Sequence, residues 1–192
     1  MESVIKAIGL ALAYTLIIVI IQMLGFFHPF FWTYAAVFAA AATAVPYFLL
    51  CRRFPIPGIA ILLAVTFIIS SFIIGEGHEY LAVGSIALAC LAEAMRKMMG
   101  NYRGRAGVVT GYAFMSLIPF TTSCTLWIDY ETAMQLVINR MGDIYAAVMG
   151  RMLSKYMLIA MIILTLVIAV VTMVLLTRDW RPSNRHIQRN IQ

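Results

Sequence analysis

Charge is what this sequence has least of: 14 Lys and Arg with 8 Asp and Glu in 192 residues, 11% of the chain. Soluble domains carry about 25%. With 63% hydrophobic residues and a mean hydropathy of +0.93, too few polar side chains exist to cover a water-facing globule. A cytosolic enzyme, a secreted disulfide scaffold and a disordered chain are all excluded. Cys51, Cys90 and Cys124 lie far apart with no CxxC spacing, so they read as small apolar residues. The sequence also lacks a Gly-Lys-Ser/Thr phosphate loop, a His-Glu-x-x-His, a Gly-x-Ser-x-Gly and paired intramembrane aspartates. No enzyme activity and no cofactor is expected in this chain.

Long apolar runs without period-2 alternation are what remains, and they predict membrane helices rather than barrel strands. The expected fold is an all-α polytopic membrane protein with six transmembrane helices in one domain, 1–178. The spans fall at about 4–24, 30–50, 59–74, 80–99, 106–127 and 156–177. A basic tail follows from 179 to 192. Met1-Glu2-Ser3 leads into the first run with no small-residue cleavage site, which reads as a retained span rather than a signal peptide.

Lys and Arg placement sets the expected orientation. Lys6, Arg52, Arg53, Arg96, Lys97, Arg103, Arg105, Arg178, Arg181, Arg185 and Arg189 fall on one side of the alternating spans. Arg140, Arg151 and Lys155 fall on the other. Both termini are therefore expected in the cytoplasm. The basic charge is explained by orientation in a membrane, and no nucleic-acid partner is needed. The long connection from Ile128 to Lys155 lies outside in this scheme. Ala133, Leu136, Val137 and Met141, then Ile144, Ala147, Val148 and Met152, recur at helical spacing about Gly142-Asp143. That pattern predicts two short amphipathic helices, lying either on the membrane or over a cavity.

Three clusters carry candidate chemistry. Ala7-Ile8-Gly9-Leu10-Ala11 places small residues four apart, a strip on which another helix can approach closely. It can serve packing inside the chain or a partner; Ala35/Ala39 and Ala36/Ala40 read as internal packing. Gly75-Glu76-Gly77-His78-Glu79 sets two carboxylates and an imidazole at the membrane edge, where ionisable groups are costly unless paired, hydrated or used. His28, Trp32, Trp127, Asp129, Tyr130 and Glu131 stand at the same level, because loops 1, 3 and 5 emerge on one face of such a bundle. A shared outer cavity is expected from these residues. Solvated loops, an organic-ligand site and a transition-metal site all remain open readings. Glu93 with Arg96 and Lys97 forms a same-face helical pair.

The chain also resembles a known family. The motifs Ala7-x-x-x-Ala11, Gly75-Glu76-Gly77-His78-Glu79, Ala89-Cys90-Leu91-Ala92-Glu93, Gly100-Asn101-Tyr102-Arg103 and Gly111-Tyr112-Ala113 are similar to the MptD, or Trep_Strep, family of bacterial integral membrane proteins. That branch is grouped with the S components of energy-coupling-factor (ECF) transporters. The resemblance implies a substrate-binding subunit in the bacterial cytoplasmic membrane that captures a small molecule outside: a vitamin, a metal chelate, a haem-like compound or a precursor. It also implies partners, an ECF T component and two ABC-type ATPases that hold the ATP, with Ala7 and Ala11 as the docking strip. The rival reading is a non-transporting structural or assembly subunit of a membrane complex. An oligomeric channel is disfavoured by the scarcity of charge inside the spans.

Overall fold

The computed structural model describes residues 2–180, which contain helices and turns and no strand. Arg181, Arg185 and Arg189, and all of the expected tail beyond Trp180, lie outside the described residues. Helix α1 (Glu2–Met23) ends in a short 3-10 turn, Leu24–Phe26, and is followed by α2 (Pro29–Thr33), α3 (Ala35–Ala42), α4 (Ala44–Arg53) and α5 (Ile59–Ile73). The chain continues through α6 (Glu79–Met98), α7 (Arg105–Met115), α8 (Phe120–Ser123), α9 (Thr125–Ile128), α10 (Tyr130–Met141), α11 (Asp143–Met152) and α12 (Lys155–Leu176).

Among the described residues two helical stretches are long and apolar enough to cross a membrane unaided, Val4–Phe26 and Lys155–Leu176. A third exists if α3 and α4, bent by 40°, act as one. The 15 residues of α5 extend about 22 Å, less than a hydrocarbon core of about 30 Å. The unbroken spans expected at 30–50 and 106–127 are each three shorter helices. Proline supplies a reason in both places. Pro46 sits in the first turn of α4, where its missing N–H would be unpaired in any case, and Pro119 follows the end of α7.

Each break frees backbone groups, and side chains of neighbouring helices satisfy several of them. The Tyr112 hydroxyl donates to the Ala40 carbonyl at 2.6 Å and lies 2.9 Å from Thr43 Oγ1, at the α3–α4 joint. The Tyr14 hydroxyl donates to Met115 O at 3.1 Å, at the end of α7. Gln22 Nε2 donates to Thr122 Oγ1 at 2.9 Å. Burying an unpaired carbonyl costs about 1–3 kcal/mol, so these tyrosines make the breaks tolerable.

The main core joins Ala11, Tyr14 and Ile18 of α1 to Ala39 and Ala40 of α3, Tyr47 and Leu50 of α4, Leu63 and Phe67 of α5, Ala89 and Ala92 of α6, Tyr112 of α7 and Met173 of α12. Alanine at so many contacts lets the helices approach closely. The turns sort to two ends. Arg96 Nη2 reaches Ile56 O, and Trp180 Nε1 donates to Arg103 O at 2.9 Å, which gathers 54–58, 99–104 and 177–180 at a basic end. At the opposite end α10 and α11 form a helical hairpin. A second, smaller apolar cluster sits there: Leu126, Ala133, Val137, Ala146 and Met149, with Trp32 and Trp127 against it.

Near the basic end lies the fully buried charge found among the described residues. Arg96 is 0% exposed and pairs through Nη1 with Glu93 Oε1 at 2.8 Å. The same carboxylate oxygen accepts the Ala60 N–H at 2.7 Å, holding the first turn of α5 against α6. Tyr102 lays its ring 5.4 Å from the guanidinium and donates its backbone N–H to Arg96 O. Gly107 and Gly111 of α7 make room: a Cβ on Gly111 would stand 2.7 Å from Arg96 Cγ and 2.8 Å from the Tyr47 hydroxyl. The same-face pair expected at Glu93 and Arg96 is present, but Arg96 belongs to the interior, not to a basic loop. Lys97 is exposed.

Removing one partner of a buried pair strands the other charge, typically at a cost of about 3–5 kcal/mol. Arg96→Met alone is therefore expected to destabilise the protein by about that amount, and Arg96→Met with Glu93→Gln by clearly less. Reversible SDS unfolding in mixed micelles, followed by circular dichroism, measures both; equal losses would show that Glu93 does not depend on Arg96.

Candidate functional site

The polar residues expected to line an outer cavity do converge at the hairpin end, and the reason several of them are there is helix capping. Helices that start at this end need acceptors for their first N–H groups. His28 Nδ1 accepts from Phe30 N at 3.1 Å and caps α2; His78 Nδ1 accepts from Leu81 N at 3.1 Å and caps α6. Asp129 Oδ1 accepts from Thr132 N and caps α10, and Ser154 Oγ accepts from Met157 N and caps α12. With Nδ1 accepting, the ring proton of His78 sits on Nε2, which faces the Thr122 carbonyl at 3.2 Å. Both nitrogens of His78 are thus engaged. Among the described residues no three His, Cys, Asp or Glu side chains gather to hold a metal.

Gly75 and Gly77 shape the loop before α6. Gly75 has φ +80°, and a Cβ on Gly77 would overlap the Phe72 ring. Glu76 forms an ion pair with Arg140 of α10 at 2.5 Å, and Arg140 Nη2 also reaches Gly75 O. From α11, the Tyr145 hydroxyl donates to Gly25 O, with the Trp32 ring 6.4 Å away. Burial pushes the Tyr145 hydroxyl up to about 12, since a phenolate is poorly solvated there. These contacts tie the hairpin to the first and third turns of the same end. Glu79 and Glu131 are exposed in the first turns of α6 and α10, where carboxylates favour the helix dipole. Trp127 packs 5.7 Å from Phe120, and its indole N–H is buried without a hydrogen-bond partner.

Of the expected residues, Tyr130 alone lines the open groove of this end. The groove measures about 490 Å³ and runs between α10 and α11. One wall is Tyr130, Met134 and Ile138, at four-residue spacing on α10; the other is Asp143, Ala146, Ala147, Gly150 and Arg151, one face of α11. The space exists because α11 presents Ala, Ala and Gly to bulkier partners. A Cβ on Gly150 would stand 3.2 Å from the Tyr130 hydroxyl. The space is a shallow groove, open to solvent along most of its length rather than an enclosed cavity. Sequence reasoning missed this wall; its signal was the spacing 143, 146, 147, 150, 151, which the larger apolar residues on the other faces of α11 obscure.

At the far end of α1, the Ala7–Ala11 strip faces inward. Ala11 is 2% exposed in the main core, and Ala7 is half-buried against it. Gly9, between them, meets nothing within 4 Å.

These features define a class: an α-helical integral membrane protein with broken helices and a helical hairpin across one end. The chain belongs to the Trep_Strep family, described as hypothetical bacterial integral membrane proteins, whose family model matches residues 3–178. No curated protein and no solved structure matches it.

Overpacking a filled core costs about 1–3 kcal/mol. Ala11→Leu is expected to lower stability by that amount, whereas Gly9→Leu, pointing outward, is expected to leave it unchanged or improve it. Thermal unfolding in detergent, read by loss of monomer on size exclusion, separates the two.

Proposed function

We propose that this protein is the substrate-binding S component of an energy-coupling-factor importer, capturing a small molecule at the hairpin end for uptake driven by ATP in partner subunits. The observation that carries the reading is the groove: an open, mainly apolar cleft with a few polar groups, set at one end of a membrane bundle. Membership of a family of integral membrane proteins supports reading such a cleft as one that opens beside a membrane. The chain contains no phosphate-binding loop, so energy must come from elsewhere, and ABC-type ATPases with a membrane-embedded T component are the partners that fit.

The topology that goes with this function has six crossings: α1, α2–α4, α5, α6, α7–α9 and α12. What supports it is the sorting of turns to two ends, together with the gathering of Arg52, Arg53, Lys97, Arg103, Arg105 and Arg178 at one of them. The basic end is cytoplasmic in this reading and the hairpin faces outward from the bacterial inner membrane, in contact with lipid. A docking face for the T component on α1 then centres on exposed Gly9 with Ile5, Ile8 and Leu12, rather than on buried Ala11.

Two measurements test the proposal. Single cysteines replacing Ile144, which is 85% exposed on α11, and Asp179, at the basic end, are placed in a chain otherwise free of cysteine. A membrane-impermeant thiol reagent on intact cells is expected to label the first and spare the second; the reverse pattern overturns the orientation. Purification of the tagged chain from its own membranes in mild detergent is expected to bring two ABC-type ATPases and a small molecule detectable by mass spectrometry. Recovery without any ATPase overturns the transport role.

A further inference from the structure

We infer that the α10–α11 groove binds a dipolar small molecule: an apolar body with a cationic group at one end and an anionic group at the other. The inference rests on the capture role proposed above and assigns the ligand's chemical class.

The groove walls are apolar or small except at the ends of α11. Asp143 and Arg151 both line the cavity, one in the first turn of α11 and one in the last. Eight residues of helix separate them, about 12 Å along the axis. Between them Ala146, Ala147 and Gly150 leave an uncharged floor. The groove therefore presents an anionic end, an apolar middle and a cationic end.

Neither charge is engaged by the protein. Among the described residues of this end there are three cations, and the other two have partners: Arg140 pairs with Glu76, and Lys155 lies 5.7 Å from the Tyr156 ring. The Arg151 side chain, exposed at this end, makes no hydrogen bond or ion pair with the protein, and neither does the exposed side chain of Asp143. The Tyr130 hydroxyl, beside Gly150, adds a neutral donor or acceptor near the cationic end. A carboxylate or phosphate on Arg151, with an ammonium on Asp143, meets both charges at once. A singly charged or neutral amphiphile leaves at least one of them to water and gains less.

Helix-dipole stabilisation also favours an acid at the start of α11 and a base at its end, so the test must separate the two roles. The probes are linear ω-amino acids of roughly four to twelve carbons, a range that brackets the axial separation of about 12 Å between the two residues. Alkylamines and alkanoates of equal length carry one charge each. Titration calorimetry uses the purified full chain in nanodiscs, with empty nanodiscs subtracted. Affinity is expected to peak at an intermediate length and to fall about tenfold when either charge is removed from the probe. Asp143→Asn and Arg151→Gln are each expected to weaken the best probe about tenfold. The double swap, Asp143→Arg with Arg151→Asp, is expected to restore binding with the probe reversed, although it opposes the helix dipole. Gly150→Leu is expected to abolish binding while circular dichroism stays unchanged. Affinity that is independent of probe length, or a swap that folds and fails to bind, overturns the inference. Because partner ATPases are scored in a separate purification, their recovery without probe binding refutes the ligand class alone. Probe binding without ATPases refutes the importer role alone.

Discussion

Every backbone N–H and C=O in apolar surroundings must find a partner inside the protein, and that constraint organises this structure. An unbroken helix meets it automatically; a broken one does not. Two of the expected spans are broken, and the molecule answers with long polar side chains from neighbouring helices. Tyr112 reaches Ala40 O, Tyr14 reaches Met115 O, and Gln22 reaches into the break around Pro119. These side chains come from α1 and α7, so the helices they repair are held in place by the helices that repair them. The same requirement explains the polar residues of the hairpin end, where His28, His78, Asp129 and Ser154 each supply the acceptor for a helix that begins there.

The two ends are built differently. At the basic end a buried ion pair, Glu93 with Arg96, ties α6 to the start of α5, and glycines on α7 close over it. Breaking such an arrangement exposes an unpaired charge to low dielectric, so this end resists rearrangement. The hairpin end has its own small apolar cluster and is anchored by a half-exposed ion pair and one tyrosine hydroxyl. Exposed ion pairs contribute about 0–1 kcal/mol. Low-stability regions are where binding elements are generally found, and the groove lies on the more weakly held end.

This division fits the capture role proposed above. Under that proposal the more tightly held basic half preserves the helix packing, and the hairpin with its modest core adjusts to a small molecule while the rest of the bundle stays intact. Among the described residues the buried ion pair, Glu93 with Arg96, lies at the basic end, and the groove's two charged residues, Asp143 and Arg151, lie on α11.

Composition alone settled that the chain lives in a membrane, because 22 charges cannot cover a water-facing globule of 192 residues, and long apolar runs without period-2 alternation settled that it is helical. Periodicity also revealed the two amphipathic helices about Gly142-Asp143, since an apolar stripe on a polar helix is a local property. The bends were only partly legible, because Pro46 and Pro119 sit in runs whose hydropathy reads straight through them. What the sequence could not decide was the employment of its polar residues. His78 beside two glutamates suggests a ligand set in one dimension; in three, both of its nitrogens are engaged by Leu81 and Thr122. Ala11 suggests a docking strip, yet the rotation of α1 turns it into the core. Arg96 counts as a loop cation until α7 packs over it. The groove on α11 is an emptiness between two helices, and no residue of either helix encodes it alone. Such outcomes depend on which neighbour each face meets, and only tertiary packing chooses the neighbour.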